Sequence, residues 1–191
     1  MRPRNVFLLA GLTFSIGLIS LFAQPSAELM PHETVSMPFY VAGYLVRTNN
    51  ADEVTGKSKI GPLWQQFMQQ DLAAQIPDRV DGAFTVVYSN YASDEKGDYD
   101  YLLGARVNSI DHLPAGMSWR KVEPGAYAVI LTDKGRMPGV LQAAWARIWQ
   151  MTPEELGGRR AFITDYETYD QRSADPAHAL VEIRIGVRPA H

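Results

Sequence analysis

From about Val35 onward, strand-like and helix-like stretches alternate in an order that occurs twice, and an internal duplication of this kind limits the folds open to the chain. The first copy runs as a strand through Phe39-Tyr40-Val41-Ala42-Gly43-Tyr44-Leu45-Val46, a helix, and two strands around Phe84–Tyr91 and Tyr99–Val107. In the helix, Ile60, Leu63, Trp64, Phe67, Met68 and Leu72 recur at the three- and four-residue spacing of one apolar face. The second copy has a strand at Gly125–Leu131 and a helix with Val140, Leu141, Ala144, Trp145, Ile148 and Trp149 on one face. Strands near Ala161–Tyr169 and Ala179–Val187 complete it. Both copies read β-α-β-β. Laying Leu63-Trp64-Gln65-Gln66-Phe67 over Ala144-Trp145-Ala146-Arg147-Ile148, and Phe84–Tyr91 over Phe162–Tyr169, matches Trp64 with Trp145, Tyr88 with Tyr166 and Tyr91 with Tyr169. The period is too long for a solenoid. It predicts an α+β domain of duplicated β-α-β-β units with pseudo-twofold symmetry, repeats of about 35–107 and 119–188, and a ligand cleft between the halves.

Ahead of the duplication, Arg2 and Arg4 precede an uncharged stretch from Val6 to Ala23, and the first acid is Glu28. This order is that of an export segment, so residues 1–27 are expected to be a signal peptide or an N-terminal membrane anchor, with 28–191 as the body. As a helix the stretch would span roughly 27 Å, close to the thickness of a hydrocarbon core, so length alone does not separate the two. Cleavage after Ala23 or Ala27 would put Leu21 or Pro25 at the third position back, where a peptidase prefers a small residue, and this favours an uncut anchor through residues 6–23. The basic flank predicts a body outside the cytoplasm, periplasmic or held at the inner membrane.

The formal charge of -3, with no Lys/Arg block, argues against a nucleic-acid partner and suits a small cationic or aromatic ligand. The chain has no cysteine, which excludes disulfides, thiolate metal sites and a Cys nucleophile. Four histidines are scattered without a metal-ligand spacing. Asp94, Asp98 and Asp100 resemble a calcium loop in spacing, but Lys96 occupies a ligand position and no glutamate closes the loop, so a solvated hairpin turn is expected. No metal and no cofactor are expected. Thr152-Pro153-Glu154-Glu155 carries an N-cap, a proline at the first helical position and a glutamate at the third, which predicts a short extra helix stopped by Gly157-Gly158.

Val41-Ala42-Gly43-Tyr44, Leu63-Trp64, Pro124-Gly125-Ala126-Tyr127 and Tyr166-Glu167-Thr168-Tyr169, followed by the strand Val181–Val187, occur in the order and spacing of a known family. Across about Val35 to Val187 the body resembles the GyrI-like small-molecule-binding family, the effector-binding domain of AraC- and MerR-type regulators. The resemblance implies a duplicated fold with an aromatic-lined cleft in which Glu167 meets a cationic or polar part of the ligand. Two expected departures bear on the role: the elements read here leave no residues for a helix-turn-helix, and an export segment is expected ahead of the domain.

Side chains alternate along a strand, so Asp165, Glu167 and Tyr169 share one face, while Thr164 and Tyr166 point to the other. Two acids on one face are expected to stay out of a packed core. Glu167 in an aromatic cleft would be partly desolvated, which raises its pKa and suits it to pair with a cation or act as a general base. Tyr88, Tyr91, Tyr166 and Tyr169 are candidate stacking walls; the choice falls on Tyr91 and Tyr169, the matched pair placed on the face of Glu167. Trp64 and Trp145, on apolar helix faces, are core residues or cleft walls. The expected ligand-binding set is thus Glu167, Tyr169, Tyr91, Asp165, Trp64 and Trp145. The leading function is capture of a small aromatic or cationic compound. A hydrolase of reactive small molecules using Glu167, as some relatives of the resembled family imply, and a protein-interaction module are the alternatives.

Overall fold

Two β-α-β-β units meet along one antiparallel strand pair. The computed structural model describes residues 29–188. In chain order these form β1 (Leu29–Val35), β2 (Phe39–Thr48), α1 (Asn50–Glu53), α2 (Ile60–Gln69), β3 (Phe84–Ser89), β4 (Tyr99–Val107), β5 (Ser118–Val122) and β6 (Gly125–Leu131). They continue as α3 (Gly139–Ile148), α4 (Pro153–Leu156), β7 (Arg159–Tyr169) and β8 (Glu182–Arg188). One eight-stranded antiparallel sheet runs β1-β6-β8-β7-β3-β4-β2-β5, so β3 and β7 join the two halves at its centre. The fold is α+β, and each unit contributes β2-α2-β3-β4 or β6-α3-β7-β8.

The edge strands lie outside the β-α-β-β pattern read from the sequence. β1 precedes β2 in the chain but pairs with β6, and β5 precedes β6 but pairs with β2. Each half therefore lends its first strand to the other. Val6–Ala23, expected as an export or anchor segment, lies outside the described residues; among the described residues no helix is long and apolar enough to cross a membrane.

The helices follow the predicted faces. α2 buries Leu63 and Phe67, and α3 buries Ala144, Trp145 and Ile148, in the layer between helices and sheet. Burial of each large side chain there contributes about 1.5–3 kcal/mol. Met68 and Trp149, predicted on the same stripes, are exposed, because a helix lying on a sheet buries only an arc and these two sit on its margin. α4 starts on the expected capping box, with Thr152 and Glu155 each accepting the other's backbone N–H, and Gly157 at φ 64° ends it.

The sheet curls. On its helix-free face a second cluster contains Val41, Val87, Leu102, Val122, Tyr127 and Tyr166, and Phe39 of β2 packs edge-on against Tyr166 of β7 at 5.4 Å although β4 and β3 lie between those strands. Gly43 and Gly104 face each other across β2 and β4. A Cβ on Gly104 would fall on the Ala42 carbonyl oxygen, and one on Gly43 on the Leu103 carbonyl oxygen. Glycine is required here by this approach of the backbones. Gly104→Ala should therefore lower the unfolding free energy by about 2 kcal/mol or more in urea denaturation, as overpacking does; an unchanged midpoint would contradict the close approach.

Candidate functional site

Residues directly opposite on antiparallel strands share a face, which fixes what projects beneath the helices at the junction of the halves. Phe84 lies opposite Tyr169, Val86 opposite Glu167 and Tyr88 opposite Asp165, and all six face α2 and α3. A twofold axis normal to the sheet keeps faces, so Tyr88 must match a residue on this face. Tyr166 lies on the other one. The spacing that relates Trp64 to Trp145 relates Tyr88 to Tyr169 and Val86 to Glu167. This corrects the alignment read from the sequence, which shifted the strand so as to match Tyr88 with Tyr166 and Tyr91 with Tyr169.

The ring geometry bears out the corrected match. Trp64 of α2 packs on Tyr169 of the second half at 4.9 Å, and Trp145 of α3 packs on Tyr88 of the first half, also at 4.9 Å, with interplanar angles of 60° and 55°. Each helix thus lays its tryptophan on the other half's tyrosine. Glu167 sits on the axis between them, opposite Val86, and breaks the symmetry.

Its carboxylate is fully buried and takes three hydrogen bonds. Oε1 accepts from Tyr88 Oη at 2.8 Å and from Trp145 Nε1 at 2.6 Å, and Oε2 accepts from Tyr169 Oη at 2.6 Å. All three donors are neutral, and no ion pair among the described residues reaches Glu167. Burial pushes the Glu167 carboxyl above its ordinary value of 4.5, against the three hydrogen bonds, which favour the charged form. Burial and the neighbouring carboxylate hold the Tyr88 and Tyr169 hydroxyls protonated far above their usual range, so both remain donors. In the first half Val86 offers no acceptor, and the Trp64 indole N–H donates instead to Tyr101 Oη at 2.7 Å.

Asp165 and Tyr91 form a separate arrangement. Asp165 was expected to avoid the core, yet like Glu167 it is fully buried: its Oδ1 accepts from Gly186 N at 2.8 Å, and its Oδ2 from Tyr91 Oη and Arg160 Nη2, both at 2.6 Å. The expectation failed because strand alternation gives the face and not what covers it; here the helix layer and a buried arginine lie over that face. Tyr91, placed by sequence on the face of Glu167, lies beyond β3, after Asn90 at φ 49°. That turn re-aims its hydroxyl at Asp165.

The structure therefore gathers Glu167, Tyr169 and Trp145 in direct contact, sets Trp64 against Tyr169, and leaves Tyr91 and Asp165 as neighbours. Sequence reasoning passed over Tyr88 as a Glu167 partner, Tyr101 as the partner of Trp64, and Arg160. Strand parity combined with the Trp64–Trp145 spacing was the signal that would have selected Tyr88.

A duplicated α+β sheet closed by two helices over one buried acid in a cage of aromatic rings defines a domain of the effector-binding class. Residues 36–187 match the family described as integron-associated effector binding protein, Cass2, and the chain belongs to that family. The putative transcriptional regulator protein YobU of Bacillus subtilis (strain 168) is 32% identical over 148 residues, which cover 77% of this chain and 91% of YobU. The crystal structure of an integron cassette protein from the mobile metagenome of Vibrio cholerae is 30% identical with a TM-score of 0.66, over 85% of this chain and 98% of that one. The structure of SAV2435 bound to tetraphenylphosphonium shares the fold at a TM-score of 0.68, with 13% identity, over 84% of this chain and 94% of that one.

The environment of Glu167 has a consequence for stability. Its folded carboxyl keeps a proton to higher pH than the unfolded one, so its contribution to stability is fully present below about 4.5 and is lost as pH rises through the raised folded value. In Glu167→Gln the amide oxygen can replace Oε1, and the Tyr169 hydroxyl can turn to accept from the amide nitrogen. Wild type and Glu167→Gln should unfold alike near pH 4, with the variant about 1–3 kcal/mol more stable at pH 8. A stability difference that does not change with pH, followed by urea unfolding across that range, would contradict this environment.

Proposed function

We propose that the protein binds a lipophilic aromatic cation at the junction of its two halves, with the positive charge against Glu167 and its rings among those of Trp145, Tyr88, Tyr169 and Trp64. The observation that carries this reading is a fully buried carboxylate whose partners are all neutral donors. A cation brought into that setting gains Coulomb energy in a low-dielectric site and, from each aromatic face, about 0.5–2 kcal/mol more. Hydrogen-bond donors alone would suit a polar neutral ligand equally; the rings in van der Waals contact with one another around the acid favour the cation. Membership of an effector-binding family, and a fold neighbour bound to tetraphenylphosphonium, support the same class of ligand.

Because the acid is closed off, binding requires the rings above it to part. We place the opening between α2 and α3, whose tryptophans cross the junction and pack on the tyrosines of the opposite halves. Shape inside this cleft then selects among cations, and the charge at Glu167 sets the sign of the ligand.

Tetraphenylphosphonium, titrated by isothermal calorimetry and by thermal shift, should stabilise the wild type. It should bind Glu167→Gln roughly thirtyfold more weakly or worse, the loss expected when one partner of a buried charge pair is removed. Wild-type affinity should rise with pH as Glu167 ionises, since the cation binds the charged form. Equal affinity in the two proteins would overturn the proposal, and turnover of an added ligand that the Gln variant loses would make Glu167 a general base instead.

A further inference from the structure

Arg160 is a buried charged residue for which the proposed cation site has no use. Its side chain is about nine-tenths buried, and it lies at the start of an irregular stretch of β7, where the register with β8 slips between Arg160 and Asp165 and Phe162 takes a φ of 51°. One nitrogen, Nη2, is held by Asp165 at 2.6 Å. The other two, Nε and Nη1, are buried and meet no acceptor from the protein. The guanidinium carbon lies 4.4 Å from the Phe162 ring centroid and 5.9 Å from that of Trp145.

These facts set two independent constraints. A guanidinium has five N–H donors in a fixed plane, and leaving buried donors unmade costs about 1–3 kcal/mol for each group. Asp165 does not supply what is missing, because both its oxygens are already committed to Gly186, Tyr91 and Nη2. Meanwhile Trp145 touches both places: its N–H donates to Glu167, and its ring lies toward Arg160. Asp165, which holds Nη2, and Glu167 are two residues apart on one face of β7, so the Arg160 donors lie on the Asp165 side of the charge position.

Resting on the proposed cation site, we propose a second subsite in which Arg160 Nε and Nη1 donate to a hydrogen-bond acceptor of the ligand, an ester, amide or ether oxygen carried on a short chain from its positive charge. The preferred ligand class is then a lipophilic cation with a distal carbonyl or ether, oriented with Trp145 between its two polar ends. Asp165 and Tyr91 act as positioning residues that fix the plane of the guanidinium, and Phe162 covers it from the other side.

The test uses butyltriphenylphosphonium, which has no acceptor, and the ethyl ester of triphenylphosphoniobutanoic acid, which carries a carbonyl at the far end of the same chain. Wild type should bind the ester about tenfold more tightly, as expected for hydrogen bonds to a charged donor. In Arg160→Lys, which keeps a cation beside Asp165 but loses the planar donors, the two ligands should bind within about twofold of each other and butyltriphenylphosphonium should be unaffected. Arg160 is buried, so a readout that needs no variant is added: in the wild type the Arg160 Nε–H NMR resonance should move with the ester and stay with the butyl compound. Equal affinities in wild type, an ester preference that survives in Arg160→Lys, or an Nε–H resonance indifferent to the ester would each overturn the subsite. If wild type binds neither phosphonium, the cation site itself fails and the subsite falls with it.

Discussion

Taking a carboxylate out of water costs several kcal/mol, and the arrangement around Glu167 is built to tolerate that cost without cancelling it. Three neutral donors satisfy the lone pairs, yet no cation among the described residues neutralises the charge, and the carboxyl stays shifted toward its protonated form. The central strand pair, the two helices and their tryptophans all converge on this group. A leucine or methionine at this position would fill the space at less cost. An acid kept in a position that destabilises the free protein is understandable where a ligand supplies the missing charge, as the proposed function requires.

Duplication explains how the cage is made, and its broken symmetry explains why it has one acid. The two halves contribute equivalent tyrosines, Tyr88 and Tyr169, and equivalent tryptophans, Trp64 and Trp145, whose ring pairs match in distance and nearly in angle. The residue on the axis differs in kind, Val86 in one half and Glu167 in the other. Two glutamates facing each other there would be like charges at cross-strand distance in a dry core, a pairing that neither sheet geometry nor electrostatics favours. One acid on the axis receives both tyrosines. The indole N–H left without it, that of Trp64, turns to Tyr101.

Much of this was legible in the sequence. Helix periodicity placed Leu63, Phe67, Ala144 and Ile148 in the core, because the apolar spacing of a helix depends only on its own residues. The duplicated order of elements followed from the same local patterns. Pairing was harder. β1 and β5 are short edge strands, each exchanged into the opposite half, and nothing local marks that exchange. The burial of Asp165 was hidden for a related reason: alternation assigns a face, and only the position of α2 and α3 decides whether that face is wet. Tyr91 reaches Asp165 and not Glu167 because Asn90, with its positive φ, turns the chain at the end of the strand. Arg160 carried no pattern at all, since its burial arises from the slipped register of β7 and from the Trp145 ring beside it.

The central claim is that Glu167 is a buried acid awaiting a cation, and the most direct measurement is its own titration. With ¹³C-labelled glutamate, the Glu167 side-chain carboxyl can be followed by NMR from pH 3 to pH 9, with Glu167→Gln used to assign the signal. In the free protein it should titrate above the ordinary 4.5, and saturating tetraphenylphosphonium should move that midpoint down. A carboxyl that titrates at or below 4.5 in the free protein, with no change on adding the cation, would contradict the account.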